Sequence, residues 1–562
     1  MTEDQKLRVV LCWHMHQPEY REPLSGRYLA PWTYLHALKD YSDMATHLEN
    51  CAPAAAVVNF SSVLLEQLED YITQLEGFLA GKCSLRDPLL AALAEHEPGA
   101  TPQARMEVLQ ACQPLQGPRM LERFAPLRRL AEFARLALAE SGGGVYLSAQ
   151  FCADLLVWCH LAWLGEAVRR QDMRVQRLTA QGANYSLADR RLLLEVMRDV
   201  IGGILPRYRE LAKSGRVELS MSPYAHPILP LLLDFAVARE AHAQLPLPEA
   251  GRYPGGAARA RWQLEGARDL HAQHFGAAPH GCWPSEGAVS SATTALLDEC
   301  GFTWAASGGH VLQHSLGAAR LTSELRHRPY RLGGQRTVIF FRDDELSDLI
   351  GFEYKTWHAD AAVADLVKRL GVIAGEAQAG AGRVVSIVLD GENAWEHYPD
   401  NAWHFLSALY RALASDPRFC LTTFSRCVAD ATVPVRPLPK LIAGSWVRGD
   451  LDTWIGQTDK NRAWDMLVEA SREAQTALAS GKFGTEERVR IVRELAVCEG
   501  SDWFWWPGEE NLPDIVVRFD ELFRVQLTGL YRLIGAAPPG YLAQPFSHGQ
   551  RGASGGVMRR AE

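Results

Sequence analysis

Two acidic residues in aromatic surroundings are the best candidates for catalysis in this sequence. Glu286 stands in W-P-S-E-G and Asp390 in V-L-D-G-E-N, each close behind an apolar run. Two carboxyl groups supply what glycoside hydrolysis requires, because one attacks the anomeric carbon while the other protonates the leaving oxygen. Structural interpretations also exist: Glu286 as a carboxylate in the first turn of a helix, and Asp390 as a turn residue before Gly391.

Further polar side chains follow other apolar runs. His14, His16 and Gln17 stand in W-H-M-H-Q-P. An H-x-H pair on a strand directs both imidazoles to one face of a sheet, which suits hydrogen bonding to a ligand, metal ligation or a satisfied position in the core. Glu218 and His226, in V-E-L-S-M-S-P-Y-A-H-P, either contact a ligand or tie their strand to its neighbours.

Seven short apolar runs predict the strands that position these residues. Alternating strands and helices predict an α/β fold with a parallel sheet, either open or closed into a barrel. Five of the seven runs are followed by acidic, histidine or other polar side chains that could take part in catalysis. Active sites form at the carboxyl ends of parallel strands. The runs are residues 8–13, 54–60, 216–221, 281–283, 302–306, 337–341 and 384–390.

The predicted strands are interrupted by a long helical segment. Patterns with a period of 3.6 dominate residues 63–215, which we interpret as a helical insertion in the catalytic α/β domain that covers residues 1–400. Residues 401–546 form a predicted C-terminal helical region that contributes to the active-site cleft. The Gly- and Arg-rich tail, residues 547–562, is predicted to be disordered.

Composition and charge exclude several classes of protein. The 562 residues are 47% hydrophobic and 22% charged, which is typical of a globular chain and not of a fibrous or disordered one. A net charge of −8 argues against a nucleic-acid partner. We expect no membrane partner, because neither a secretory signal nor a transmembrane run stands out. The 11 scattered cysteines are interpreted as reduced thiols, which predicts a cytoplasmic location.

Five motifs occur in one order along residues 8–530: W-H-M-H-Q-P-E-Y, V-E-L-S-M-S-P-Y-A-H-P, G-C-W-P-S-E-G-A-V-S, V-L-D-G-E-N-A-W-E-H-Y-P and S-W-V-R-G-D-L-D-T-W-I-G. Together they resemble the signature regions of glycoside hydrolase family 57, and most closely its α-amylase and amylopullulanase-like branch. The resemblance implies an α/β fold built as an incomplete seven-stranded (β/α)7 barrel, with a helical region that closes over the active site.

The resemblance also implies roles for individual residues. Glu286 matches the catalytic nucleophile and Asp390 the general acid/base of retaining hydrolysis of α-glucosidic bonds. The acid role requires that burial or a neighbouring carboxylate raises the pKa of Asp390, and Glu392, two residues further on, is the candidate for that neighbour. No metal or other cofactor is expected. The residues expected to bind substrate are His14, His16, Gln17, Glu218, His226, Trp283, Glu392, Trp395, Trp454 and Trp503.

Tryptophans are concentrated in the C-terminal part of the chain. Trp454 and the cluster that begins at Trp503 are predicted to form a wall over a carbohydrate cleft, since large rings bury much area with few frozen torsions. Asp450 and Asp452 are spaced from Trp454 differently than in some family members, so they receive no role.

Three hypotheses follow from these residues. The first is a retaining enzyme that acts on α-glucans such as starch, glycogen or maltooligosaccharides, either as a hydrolase or as a 4-α-glucanotransferase. The second is a metal-dependent polysaccharide deacetylase, because His14, His16 and Asp groups suit a divalent ion. The third is a glycan-binding protein without catalytic activity.

Overall fold

The computed structural model describes residues 6–376, 382–553 and 555–560. Within this part of the chain ten strands form a single sheet. The strands are β1 (Leu7–Met15), β2 (Ala56–Phe60), β3 (Val217–Met221), β4 (Gly281–Cys282), β5 (Trp304–Ser307), β6 (Tyr330–Leu332), β7 (Val338–Phe341), β8 (Val384–Asp390), β9 (Phe419–Leu421) and β10 (Arg436–Leu438).

The sheet curls upon itself. Its order is β10-β6-β7-β5-β4-β3-β2-β1-β8, with β9 beside β1, and the described pairs are parallel except for β6 with β7. Although β7 and β8 stand far apart in this order, a bridge joins Arg342, just after β7, to Ser386 of β8. Each of the seven predicted runs overlaps a described strand, while β6, β9 and β10 are additional, so the predicted number of strands, seven, is smaller than the ten described.

Both faces of the sheet are buried, which explains why its strands are almost continuously hydrophobic. Val10 and Cys12 of β1 pack with Trp304 of β5 in one apolar cluster. Val9 and Leu11, which alternate with them, belong to the larger cluster that includes the surrounding helices. The carboxyl ends of these strands are therefore held by packing on two sides.

The chain between β2 and β3, described throughout, is entirely helical apart from its connections. Its longest helix, 27 residues, begins at a capping box in which Ser186 and Asp189 bond to each other's backbone N–H groups. That helix, α11 (Leu187–Lys213), packs against β3 and against α3 (Ser62–Leu79). The helices of this segment are α3 (Ser62–Leu79), α4 (Pro88–Ala94), α5 (Pro102–Cys112), α6 (Pro118–Arg123), α7 (Ala125–Ala139), α8 (Ala149–Ala162), α9 (Glu166–Gln171), α10 (Met173–Gln181) and α11 (Leu187–Lys213).

The remaining helices cover the sheet and build the C-terminal region. Among the described residues, none of the helices is long and apolar enough to cross a membrane. These helices are α1 (Trp32–His36), α2 (Ser42–Glu49), α12 (Leu229–Leu233), α13 (Gly256–Phe275), α14 (Ser291–Glu299), α15 (Gly309–Leu316), α16 (Ser323–Arg326), α17 (Asp344–Asp348), α18 (Ala359–Glu376), α19 (Trp403–Ser415), α20 (Phe424–Ala429), α21 (Thr458–Ala479), α22 (Thr485–Cys498), α23 (Asp502–Trp505) and α24 (Pro513–Leu533).

The described part of the C-terminal tail contacts these helices. Ser547 is buried, and its hydroxyl donates to Oδ2 of Asp459 at 2.7 Å. The backbone N–H of Gly555 donates to the carbonyl oxygen of Glu510 at 2.9 Å. Composition predicts disorder for residues 547–562, whereas residues 547–553 and 555–560 are described with these specific partners.

Candidate active site

A cavity of about 750 Å³ opens at the carboxyl ends of β1 and β8, within the size range of ligand sites. The loop after β4 and the C-terminal helices complete its walls. The residues that line it from the sheet side include His14, His16, Gln17, Glu286, Arg342, Asp390, Glu392 and Asn393. Those from the C-terminal region include Trp446, Asp502, Trp505, Trp506, Phe519 and Arg559.

Glu286 occupies a tight turn just after β4. Its backbone is left-handed, with φ of +59°, a conformation that costs a residue with a side chain on the order of 1–3 kcal/mol and recurs at functional sites. Gly287 is left-handed as well, and a Cβ atom there would lie 2.8 Å from the Trp283 ring. The turn thus directs the Glu286 carboxyl group into the cavity while its backbone closes against Trp283.

Trp446 holds Glu286 through two hydrogen bonds. Its indole Nε1–H donates to Oε2 of Glu286 at 3.0 Å, and its backbone N–H donates to the Glu286 carbonyl oxygen at 3.0 Å. On the other side, Nδ1 of His226 lies 3.7 Å from Oε1. The carboxyl group is therefore fixed in orientation before a ligand enters.

Opposing influences act on the ionisation of Glu286. Burial, followed by the charges of Asp390 and Asp502, raises the pKa of Glu286 well above its usual range. The Trp446 hydrogen bond and the Arg559 guanidinium lower it. A nucleophilic carboxylate must be ionised, so Trp446 and Arg559 are the groups that favour the reactive form.

Asp390 is the last residue of β8 and pairs with His14 of β1 across the sheet. Its Oδ2 accepts a hydrogen bond from Nδ2 of Asn393 at 3.1 Å. Burial raises the pKa of Asp390 to about 6, against the smaller opposing effects of Asn393, His16 and Arg342. Burial is the cause here, and Glu392, which the sequence suggested, is not among the causes.

Gly391 lets the chain pass close to β1 immediately after Asp390. Its N–H donates to the His14 carbonyl oxygen at 2.7 Å. A Cβ atom at this position would lie only 2.4 Å from the Met15 sulfur. The glycine therefore allows the close approach that sets the position of Asp390.

Glu392 is buried beside the two candidate catalytic groups. Its Oε1 accepts from the backbone N–H of His16 at 3.2 Å and from Nε2 of Gln17 at 3.3 Å. Its Oε2 is buried and has no hydrogen-bond partner among the described residues. Burial, and next the charge of Asp390, raises the pKa of Glu392 well above its usual range. A protonated carboxyl group here offers a hydrogen bond to a hydroxyl of a bound ligand.

Three stacked imidazole rings lie next to these carboxyl groups. The His16 and His226 rings lie 3.8 Å apart, and Nε2 of His14 is 3.0 Å from Nε2 of His226. Asn59 holds Nδ1 of His14 at 2.7 Å, and Ser501 holds Nδ1 of His226 at 2.9 Å. Burial lowers the pKa of His14 to about 3 and that of His226 well below its usual value, so both rings are neutral.

Two of these imidazoles, together with Asp502, offer atoms that could bind a metal ion. The ligand atoms of His16, His226 and Asp502 lie within 4.8 Å of one another. Nε2 of His16 is 3.1 Å from Oδ2 of Asp502, so the same atoms also satisfy each other by hydrogen bonding. The group is compatible with either use.

Comparison with known proteins identifies the family. The sequence model described as glycosyl hydrolase family 57 matches residues 10–437, about three quarters of the chain. The chain belongs to glycosyl hydrolase family 57. None of the curated proteins compared with it matches.

Solved structures of family 57 enzymes share the fold. The chain is 15% identical to a branching enzyme from Thermococcus kodakaraensis, with a TM-score of 0.58 over 94% of this chain and 90% of that one. It is 13% identical to the α-amylase AmyC from Thermotoga maritima, with a TM-score of 0.54 over 96% of each chain. It is 14% identical to the 4-α-glucanotransferase from Thermococcus litoralis, with a TM-score of 0.51 over 94% of this chain and 60% of that one. At these identities the likeness concerns the fold alone.

Three predicted substrate-binding residues of this family 57 chain stand behind the cavity lining and support it. Trp283 is fully buried and packs edge-on against Trp446 at 5.3 Å. Trp395 is buried, and its Nε1–H donates to the Gly391 carbonyl oxygen at 2.8 Å. His226, also buried, contacts the lining residues as described above. Their positions indicate that these side chains orient the groups that face the cavity.

Three other predicted substrate-binding residues, of which Glu218 is half-buried and the two tryptophans are buried, lie away from the cavity lining. The Glu218 carboxylate accepts from the indole N–H of Trp304 at 2.6 Å and bonds to Ser425. Trp454 is fully buried against Trp505, and Trp503 is buried against Phe523. The predicted substrate contacts of Glu218, Trp454 and Trp503 are therefore not supported by their positions, because other side chains cover them. His14, His16, Gln17 and Glu392 do line the cavity.

Sequence reasoning missed several lining residues. Trp446 lies in the motif S-W-V-R-G-D-L-D-T-W-I-G, and Asp502 directly precedes Trp503, so its place beside the tryptophan cluster is the signal that could have found it. Arg342 also lines the cavity, with its guanidinium 5.4 Å from the Trp446 ring. Nothing in the sequence pattern distinguished Arg559 from the rest of the basic tail.

Proposed function

We propose that the protein is a retaining glycoside hydrolase that acts on α-glucans through Glu286 as the nucleophile and Asp390 as the general acid/base. One observation carries this proposal: Glu286 and Asp390, from two different strand ends, line the same cavity, and the charge of Asp390 raises the pKa of Glu286. A double-displacement mechanism requires two carboxyl groups, one as the nucleophile and one as the acid/base.

The first step breaks the glycosidic bond. The Glu286 carboxylate attacks the anomeric carbon and forms a covalent glycosyl ester, while the Asp390 carboxyl group gives its proton to the leaving oxygen. A pKa of about 6 keeps a fraction of Asp390 protonated near neutral pH, as a general acid requires. The Trp446 N–H bond favours the ionised form of Glu286.

The second step releases the sugar. The Asp390 carboxylate, now ionised, removes a proton from water, and the resulting oxygen attacks the anomeric carbon and expels Glu286. Two inversions leave the α configuration unchanged. If a sugar hydroxyl replaces water, the same residues transfer the glycosyl group to a glucan.

The surroundings suit a polymer of glucose. Trp446, Trp505 and Trp506 line the cavity, and aromatic side chains suit the apolar C–H faces of sugar rings. Gln17, Asn393 and Glu392 offer hydrogen bonds to hydroxyl groups. The similarity in fold to an α-amylase and a 4-α-glucanotransferase also favours an α-glucan substrate.

The experiment that tests the proposal is a time course of products from maltooligosaccharides and starch. Shorter products alone support hydrolysis, whereas longer and shorter products together support the 4-α-glucanotransferase alternative. Folded wild-type protein that converts no α-glucan, but binds it, contradicts the enzymatic proposal and supports a glycan-binding protein.

A metal-dependent deacetylase is the second candidate, favoured by the His16, His226 and Asp502 group. Its test uses the same protein with a chelator and an acetylated oligosaccharide. Glucan cleavage that resists the chelator and is lost in Glu286→Gln excludes it. Acetate release that needs added Zn²⁺ would instead support it.

A further inference from the structure

The end of the C-terminal tail contributes to the cavity that holds the candidate catalytic groups. Residues 555–560, called the strap below, include five consecutive residues, 555–559, that line this cavity together with Glu286 and Asp390. The strap is some 270 residues beyond Glu286 along the chain and belongs to no helix or strand. It adds a wall that the sheet and the helices do not supply.

Residues 555–559 of the strap are anchored to the C-terminal helical region. Arg559 is largely buried, and its guanidinium lies 3.1 Å from the Glu510 carboxylate and donates to Oδ1 of Asn511 at 3.2 Å. The same guanidinium lies over the Trp505 ring, 4.6 Å from its centre. The indole N–H of Trp505 donates to the Gly556 carbonyl oxygen at 3.1 Å.

The last residue of the strap, Arg560, is anchored to the segment that follows α17. Arg560 forms an ion pair with Glu353, and its guanidinium lies 5.2 Å from the Phe352 ring. Phe352 and Lys355 of this segment line the cavity from the side of the sheet. Arg560 is half exposed, so this second anchor is the weaker one.

The strap therefore connects two walls of the cleft that belong to different parts of the chain. Trp505 stands on one wall and Phe352 on the other, and adjacent arginines, Arg559 and Arg560, contact them. A segment that contacts both walls narrows the space for a polymer at that point. A glucan that continues past the strap must first displace it and break both sets of contacts.

Resting on the proposed function, we propose that the strap closes one end of the cleft and limits the number of glucosyl residues that bind there. With the strap in place, short maltooligosaccharides fit without displacing anything. Long α-glucans react more slowly, because part of their binding energy goes into releasing Arg559 and Arg560. The strap is thus a determinant of chain-length specificity.

The test compares kcat/KM for maltotriose and for long-chain amylose. Two variants release the strap: a deletion of residues 555–562 and the double substitution Arg559→Ala/Arg560→Ala. The matched control is Arg551→Ala, which removes an exposed arginine of the same tail. We expect the ratio of kcat/KM for amylose to that for maltotriose to rise about tenfold in both strap variants and to stay unchanged in the control.

The proposal is overturned if both variants are folded and active but keep the wild-type ratio within about twofold. Circular dichroism shows whether each variant is folded. If the deletion impairs folding, the double substitution still provides the test. A wild-type protein with no activity on any α-glucan would instead count against the proposed function itself, and the chain-length proposal would fall with it.

Discussion

The indole N–H of Trp446 donates a hydrogen bond to Oε2 of Glu286 at 3.0 Å, across 160 positions of sequence. The backbone N–H of the same tryptophan bonds to the Glu286 carbonyl oxygen. Trp446 thus fixes both the turn and the carboxyl group of the proposed nucleophile, and it favours the ionised carboxylate in a site where burial and two acidic neighbours oppose ionisation.

Trp446→Phe removes the indole hydrogen bond and keeps most of the ring. Because the bond holds the pKa of Glu286 down, its loss raises that pKa and moves the acidic limb of the kcat/KM profile to higher pH. We expect kcat/KM on maltooligosaccharides to fall about 10- to 100-fold. Trp357→Phe, at an exposed tryptophan, is the control, and equal profiles for the two variants would contradict the role of Trp446.

The contacts of Trp446 show where sequence reasoning reaches its limit. Hydrophobic runs predicted the strands and the ends that carry Glu286 and Asp390, because buried parallel strands have a local signature. The contact between Trp446 and Glu286 depends on how distant segments pack, and no local pattern encodes it. Trp503 illustrates the opposite error: a ring that packs in the core against Phe523 has the same sequence signature as one that faces a cleft.

Asp390→Asn should change how stability depends on pH. Burial raises the pKa of Asp390 from its ordinary 3.8 to about 6, so its contribution is fully present below about pH 4 and is lost as pH rises through 6. The free energy of unfolding of Asp390→Asn relative to wild type should therefore increase between pH 4 and 6, on the order of 1–3 kcal/mol.

Urea unfolding at a series of pH values measures this difference. Asp360→Asn, at a carboxylate that is 83% exposed, is the control and should show no such trend. A stability difference between Asp390→Asn and wild type that stays constant from pH 4 to 7 would be inconsistent with a buried, elevated Asp390.

Gly391→Ala tests the close approach that positions Asp390. The new methyl group would meet the Met15 sulfur at 2.4 Å, and relieving this overlap displaces the fully buried Met15 side chain or the loop. We expect a loss of about 1–3 kcal/mol in the free energy of unfolding, together with a lower kcat. Gly203→Ala in α11, where the nearest side-chain atom is 3.9 Å away, should be neutral or stabilising. Equal stabilities for the two variants would refute the steric argument.

The central claim assigns different roles to Glu286 and Asp390, and α-maltotriosyl fluoride separates them most directly. Fluoride leaves without protonation, so Asp390→Asn should still release a rapid burst of fluoride as the glycosyl ester forms, and then turn over slowly. Glu286→Gln should release none, because no ester can form. Mass spectrometry of Asp390→Asn after the burst should find maltotriosyl on Glu286. A burst in Glu286→Gln, or a label on another residue, would contradict the account.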